Sequence, residues 1–225
     1  MTDAELEELI DDCPTLYHMA ERGSWLSIEK YGLLSTTALL DQYEISGEAR
    51  DVIEAERRSN SVALQKEGIG RAIVRDQFPM DGKGLVRCLQ DGLQPQDWYR
   101  LLNSKVFFWL TRSRLLRLLN AGNYRNEEHD VLQLDAAPLI GTYKEKIWFC
   151  PINSGCTKPF PHPRGKTTFS RIPDYPYAMW KERRRPRGER VVELAVDYSV
   201  PDVKSFVKRV VRMKGNDELQ TLWEK

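Results

Sequence analysis

Cysteine and histidine are scarce in this chain, and neither is grouped. The four cysteines (Cys13, Cys88, Cys150, Cys156) and three histidines (His18, His129, His162) form no paired metal-ligand spacing, so no structural zinc is expected. No apolar run approaches the roughly 20 residues of a membrane span, and the acidic opening Asp3 to Asp12 is unlike the apolar stretch of a secretory leader. A cytoplasmic location with free thiols is the matching expectation; only Cys150 and Cys156 stand close enough in sequence to bridge, and then in an oxidising compartment. A glycine-rich phosphate loop is also lacking, because Gly68-Ile69-Gly70 is too short a signal for one. Internal repeats are absent as well.

What is present is ordinary globular material. The 225 residues are 41% hydrophobic, 10% aromatic and 30% charged, enough for one domain, 1–225, burying roughly 70% of its extended-chain surface. Net charge is only +1, but it is unevenly spread. Residues 1–60 hold 14 acidic and 5 basic side chains, net −9, whereas residues 158–190 hold 10 basic and 3 acidic, net +7. A basic segment of that density suits phosphates, and a solvated charged loop is the plainer alternative.

The hydrophobic pattern predicts a mixed α+β chain. Residues 3–12 read as a short acidic helix with Thr2 as a possible cap, followed by a strand from Leu16 to Met19. Helical stretches are expected from Ser24 to Tyr31, Thr36 to Tyr43, Gly47 to Arg58, Gly84 to Leu89 and Pro95 to Asn103. Two short strands, Ser61 to Gln65 and Arg71 to Arg75, flank the Gly68 to Gly70 turn. Val106 to Leu110 has no polar residue and reads as a central strand, and Arg112 to Asn120 as an amphipathic helix. Strands are further expected at Asp130 to Asp135, Ile147 to Cys150 and Lys204 to Val211. Between them, residues 151–189 carry seven prolines, a length and composition that mark a functional or disordered segment.

One carboxylate stands out. Glu193 sits inside Val191-Val192-Glu193-Leu194-Ala195-Val196, where strand interiors normally hold apolar side chains and a lone buried charge is costly. Strand alternation offers the plain alternative, a side chain pointing at water. At the other end of the chain, Leu16-Tyr17-His18-Met19 puts a histidine into the first strand.

The segments Tyr17-His18-Met19, Leu26-Ser27-Ile28 and Gly32-Leu33 resemble the opening of the DarT-like ADP-ribosyltransferases, which share the wider poly(ADP-ribose) polymerase and diphtheria-toxin fold. The late strand Val192 to Val196, the proline after it and the final strand Phe206 to Met213 are similar to that family's close. Val106 to Leu110 with Arg112-Ser113 resembles its aromatic strand and arginine-serine turn. The chain also resembles an uncharacterised bacterial family of about this length. The resemblance implies a split β-sheet core with inserted helices, NAD as co-substrate, and a cleft shared by the first strand and the Glu193 strand lying side by side.

By the same resemblance Glu193 is the catalytic glutamate and His18 the histidine that orients the cofactor ribose. Cleaving the nicotinamide bond passes through an oxocarbenium-like centre, which an ionised carboxylate stabilises as positive charge develops. Tyr17 and Phe108, with Trp109, are candidates for an aromatic face, and plain core is their commoner use. Arg75 is the nearest match to the family's dinucleotide-holding arginine, Arg71 competes with it, and Arg112 is the alternative phosphate contact. In this fold the loop before the glutamate strand faces the acceptor. Here that loop brings Lys158, Arg164, Lys166, Arg183, Arg184 and Arg185 together with Phe160, Phe169, Tyr175, Tyr177 and Trp180, a basic and aromatic mixture suited to single-stranded DNA or RNA. A solubilising loop with packed aromatics is the alternative.

The function expected is NAD-dependent mono-ADP-ribosylation of a nucleic-acid base, with an antitoxin or a macrodomain hydrolase as a possible partner. An NAD-dependent RNA 2′-phosphotransferase and a catalytically inactive nucleotide-binding member of the fold are the alternatives.

Overall fold

Local capping signals set several element boundaries in the computed structural model, which describes residues 1–225. The first elements are α1 (Asp3–Asp12), β1 (Thr15–Glu21), α2 (Trp25–Tyr31), β2 (Leu33–Leu34), α3 (Thr36–Gln42), α4 (Gly47–Glu54), β3 (Val62–Lys66) and β4 (Gly70–Val74). Then come α5 (Gly82–Cys88), α6 (Pro95–Asn103), β5 (Lys105–Trp109), α7 (Arg112–Leu119), β6 (His129–Asp135), α8 (Ala136–Tyr143) and β7 (Ile147–Cys150). The chain ends with β8 (Ser170–Arg171), α9 (Tyr177–Glu182), β9 (Glu193–Asp197), β10 (Ser199–Val200), β11 (Val207–Lys214) and β12 (Asp217–Glu224). Thr2 opens α1 in a capping box, its hydroxyl accepting from Glu5 N–H while the Glu5 carboxylate accepts from Thr2 N–H. Ser35 and Thr111 cap α3 and α7 through their hydroxyls alone, accepting from Ala38 N–H and Arg114 N–H.

Eight strands form one sheet in the order β12-β11-β6-β1-β5-β9-β7-β8, every neighbouring pair antiparallel. The fold is mixed α and β, and β5 occupies the middle of the sheet. The strands β1 and β9 are therefore not side by side, as the resemblance implies; β5 lies between them. The main core, with Leu16, Leu132, Leu134, Phe108, Leu194 and Val210, packs α1 and α8 on one side. Trp98, Leu102, Phe169, Ala195 and Leu85 make a second cluster against the opposite side of β5, β7 and β9.

Helix α8 and strand β12 are among the elements that the sequence pattern does not predict. Helix α8 forms despite Pro138 and Gly141, because Leu139 and Ile140 are buried in the main core, and burial outweighs weak propensity. Strand β12 is largely exposed, an edge strand held by pairing with β11 and by Leu222 and Trp223 against the main core. Residues 151–189 are also more built than a loose loop: they contain β8 and α9, and Arg164 pairs through its backbone with Leu89.

Candidate functional site

The sheet is continuous in order but parted in the middle. Strand β1 pairs with β6 over seven residues and β5 pairs with β9 over five, yet β1 and β5 meet at one pair, Tyr17 with Trp109. Beyond that pair the two strands diverge, and a cavity of about 500 Å³ opens against them. Its wall includes His18, Arg75, Phe108, Ser154 and Glu193. Alternation from the Tyr17–Trp109–Glu193 register puts His18 and Glu193 on opposite faces of a flat sheet; the divergence of β1 from β5 is what gives both of them access to one cavity.

His18 bridges the parting. Its Nδ1 lies 2.9 Å from the carbonyl oxygen of Phe107. A carbonyl only accepts, so Nδ1 carries the proton and Nε2 is the acceptor nitrogen of the neutral ring. Burial pushes the His18 pKa down to about 4, offset in part by that hydrogen bond. The histidine is thus neutral at physiological pH. Its ring packs 5.8 Å from that of Phe108, which is 1% exposed and belongs to the core.

Glu193 opens β9, between Trp109 on β5 and Cys150 on β7. It is 4% exposed, which removes the reading of an outward-facing strand residue. Its two oxygens accept from Ser154 N–H at 3.2 and 3.1 Å. Burial raises its pKa to about 7, against the pull of the Ser154 hydrogen bonds and the Arg164 charge. Cys150, also buried, has its thiol pushed well above the ordinary range, first by burial and then by Glu193.

Arg75, just past β4, contributes a half-buried cation to the cavity wall. Its Nε is buried without a hydrogen-bond partner, and the Glu21 carboxylate stands 4.0 Å from it. The guanidinium lies over the Tyr124 ring at 4.9 Å, and Tyr124 in turn donates to Asp76 Oδ1 at 2.6 Å. Arg71, exposed, lines the same wall from the start of β4. The rim opposite depends on Gly32, whose φ is +82° and where a Cβ would sit 2.4 Å from Pro201 Cα. Only glycine lets the turn after α2 approach β10 this closely, and the β2–β10 pair holds it there.

Other predicted residues lie elsewhere. Tyr17 faces away from the cavity and packs with Trp109 against the α7 cluster, because it alternates with His18 along β1. Arg112 sits at the start of α7, off the cavity wall, 3.6 Å from Glu218 and half exposed. In the basic segment, Arg164 is 1% exposed and donates to the carbonyls of Ser154, Cys156 and His162, so it is no surface phosphate contact. Arg185 donates to Pro151 O at 2.7 Å and stacks on Trp180, which ties it to the protein. Phe169, Tyr175 and Tyr177 are buried core residues and present no face to a base. Lys158, Lys166, Arg183 and Arg184 remain exposed.

Of these only Lys158 borders a second cavity of about 490 Å³, whose lining shares Asn153 with the first. Arg114, Lys158, His162 and Arg185 line it, no carboxylate does, and Phe160, 86% exposed, sits on it. Sequence reasoning missed Ser154, the N–H donor to Glu193. The turn Asn153-Ser154-Gly155, directly after an apolar strand, was the available signal.

The family model described as a family of unknown function, DUF7002, matches residues 14–207. The chain belongs to that family. The DUF7002 span runs from just before β1 to the first residue of β11, so it contains both His18 and Glu193 and leaves α1 and β12 outside. No curated protein and no solved structure matches the chain. No group of three or more His, Cys, Asp and Glu is placed to hold a metal ion, and no helix is long and apolar enough to cross a membrane.

Proposed function

We propose that this protein is an NAD-dependent mono-ADP-ribosyltransferase with an ADP-ribosyltransferase-like split sheet, acting in the cytoplasm on a nucleic-acid base. The observation that carries the reading is that His18 and Glu193, near opposite ends of the chain, line one cavity where β1 and β5 part. NAD is the co-substrate. Neutral His18 accepts a ribose hydroxyl at Nε2, Arg75 offers its guanidinium to the pyrophosphate, and ionised Glu193 stabilises the oxocarbenium-like ribose as nicotinamide leaves.

The acceptor reaches the ribose from the second cavity, which adjoins the first at Asn153 and whose lining is cationic. Lys158 and His162 contact phosphate there, and exposed Phe160 stacks on a base. Mass spectrometry of oligonucleotides incubated with the protein and NAD tests this directly. Addition of ADP-ribose to an oligonucleotide supports the reading, and nicotinamide release without any modified oligonucleotide moves the acceptor to another class.

A further inference from the structure

Two charged side chains are buried on either side of Ser154. Glu193, 4% exposed, accepts from Ser154 N–H and from no other backbone donor. Arg164, 1% exposed, reaches the carbonyl of the same residue, Nη1 to Ser154 O at 2.6 Å. Its Nη2 donates to Cys156 O at 2.9 Å and its Nε to His162 O at 3.1 Å, so one guanidinium ties down the turn that follows β7. The Arg164 backbone is itself anchored, N–H to Cys88 O at 2.9 Å and carbonyl to Gln90 N–H at 2.8 Å. Trp98 adds a longer bond to Ser154 O, 3.3 Å, and the guanidinium lies 5.6 Å from its ring.

A buried arginine held by carbonyls alone lacks a compensating anion within hydrogen-bonding reach, and an isolated buried charge is costly. The carboxylate just across Ser154 is the anion that balances it. We infer that Arg164 is a positioning residue, which fixes Ser154 with its N–H aimed at Glu193 and so keeps that carboxylate able to ionise inside the cavity. This rests on the reading of Glu193 as the catalytic group. The other groups facing Glu193 do not supply the balance: Trp109 on β5 is uncharged, and the Cys150 thiol on β7 is held neutral. The Ser154 hydrogen bonds come first among the pulls that oppose burial at Glu193, followed by the Arg164 charge and a smaller hydrogen bond from the Cys150 thiol.

The test is the Glu193 titration, read by ¹³C NMR of its side-chain carboxyl in the wild type and in Arg164→Lys. Lysine keeps the charge but loses the planar fork that grips several carbonyls at once. The Glu193 midpoint is expected to rise by about one pH unit, the size of a weakened hydrogen bond to the charged form. The acid limb of nicotinamide release is expected to move with it while the KM for NAD stays within a few-fold. An unchanged midpoint in folded Arg164→Lys overturns the inference. If Arg164→Lys does not fold, the wild type decides: the Ser154 amide proton and the Arg164 guanidinium protons are expected to titrate with the Glu193 carboxyl, and resonances that ignore that midpoint overturn it equally. The two readings fail separately. Coupled titration in a protein that releases no nicotinamide from NAD leaves the clamp standing and removes the transferase; release without coupling removes the clamp alone.

Discussion

The two walls of the cavity support their titratable groups differently. On the β1 wall, His18 gives its only proton to a backbone carbonyl of the neighbouring strand, and burial lowers its pKa to about 4. On the β9 wall, Glu193 receives one N–H across two oxygens, and burial raises its pKa to about 7. Desolvation is the shared cause and favours the neutral form on both sides. For a histidine that accepts a ribose hydroxyl, neutral is the working state. For a carboxylate that stabilises a developing cation, as proposed for Glu193, it is the idle one, so on that proposal the pH response of the site belongs to Glu193 and to what holds it.

Glu193→Gln probes the difference most severely. It retains the shape and an acceptor for Ser154 N–H but loses the charge, and nicotinamide release is expected to fall roughly 10²- to 10³-fold. Equilibrium binding of NAD should stay within a few-fold. A variant as fast as the wild type would make Glu193 a structural residue.

The same substitution should raise stability. Glu193 has a folded value of about 7 against an ordinary 4.5, so between those pH values the native state binds more protons and wild-type stability falls as pH rises. Above pH 7 the full penalty is present, on the order of 3 kcal/mol. Urea unfolding is expected to find Glu193→Gln the more stable protein at pH 8, with the gap closing by about pH 4.5. His18 acts in the opposite sense: its folded value of about 4 lies below the ordinary 6.5, so its contribution grows as pH rises between the two. A gap of constant size across the pH range would show that Glu193 is not desolvated as described.

Arg75→Gln tests the cation between the walls. Losing one charge-assisted hydrogen bond to a phosphate should raise the KM for NAD roughly tenfold or more with kcat little changed. Arg112→Gln, off the cavity, should change neither. The smallest effect is expected at the exposed arginines: Arg183→Ala with Arg184→Ala should flatten the dependence of log K for single-stranded oligonucleotide on log salt by about 0.7 per lost contact. An unchanged slope confines the acceptor to the Lys158 side.

The strands carrying His18 and Glu193 were legible because each breaks its local pattern with one polar residue. Their relation was not. That β5 separates them, and that β1 and β5 meet at one pair, depends on long-range pairing which no local period encodes. The basic segment shows the limit from the other side. Composition cannot distinguish Arg164, drawn inward by backbone pairing with Cys88 to Gln90, from Lys166 or Arg184, which remain at the surface. Nor can it separate exposed Phe160 from buried Tyr175 and Tyr177, since the difference lies in which ring the sheet and α1 cover.

The pH profile of nicotinamide release from NAD by the wild-type protein probes the Glu193 ionisation most directly. The rate is expected to climb through a one-proton ionisation near pH 7, as Glu193 gains its charge while His18 stays neutral. A rate that is flat across pH 5 to 9, or one that falls as Glu193 ionises, would contradict the catalytic role proposed for Glu193.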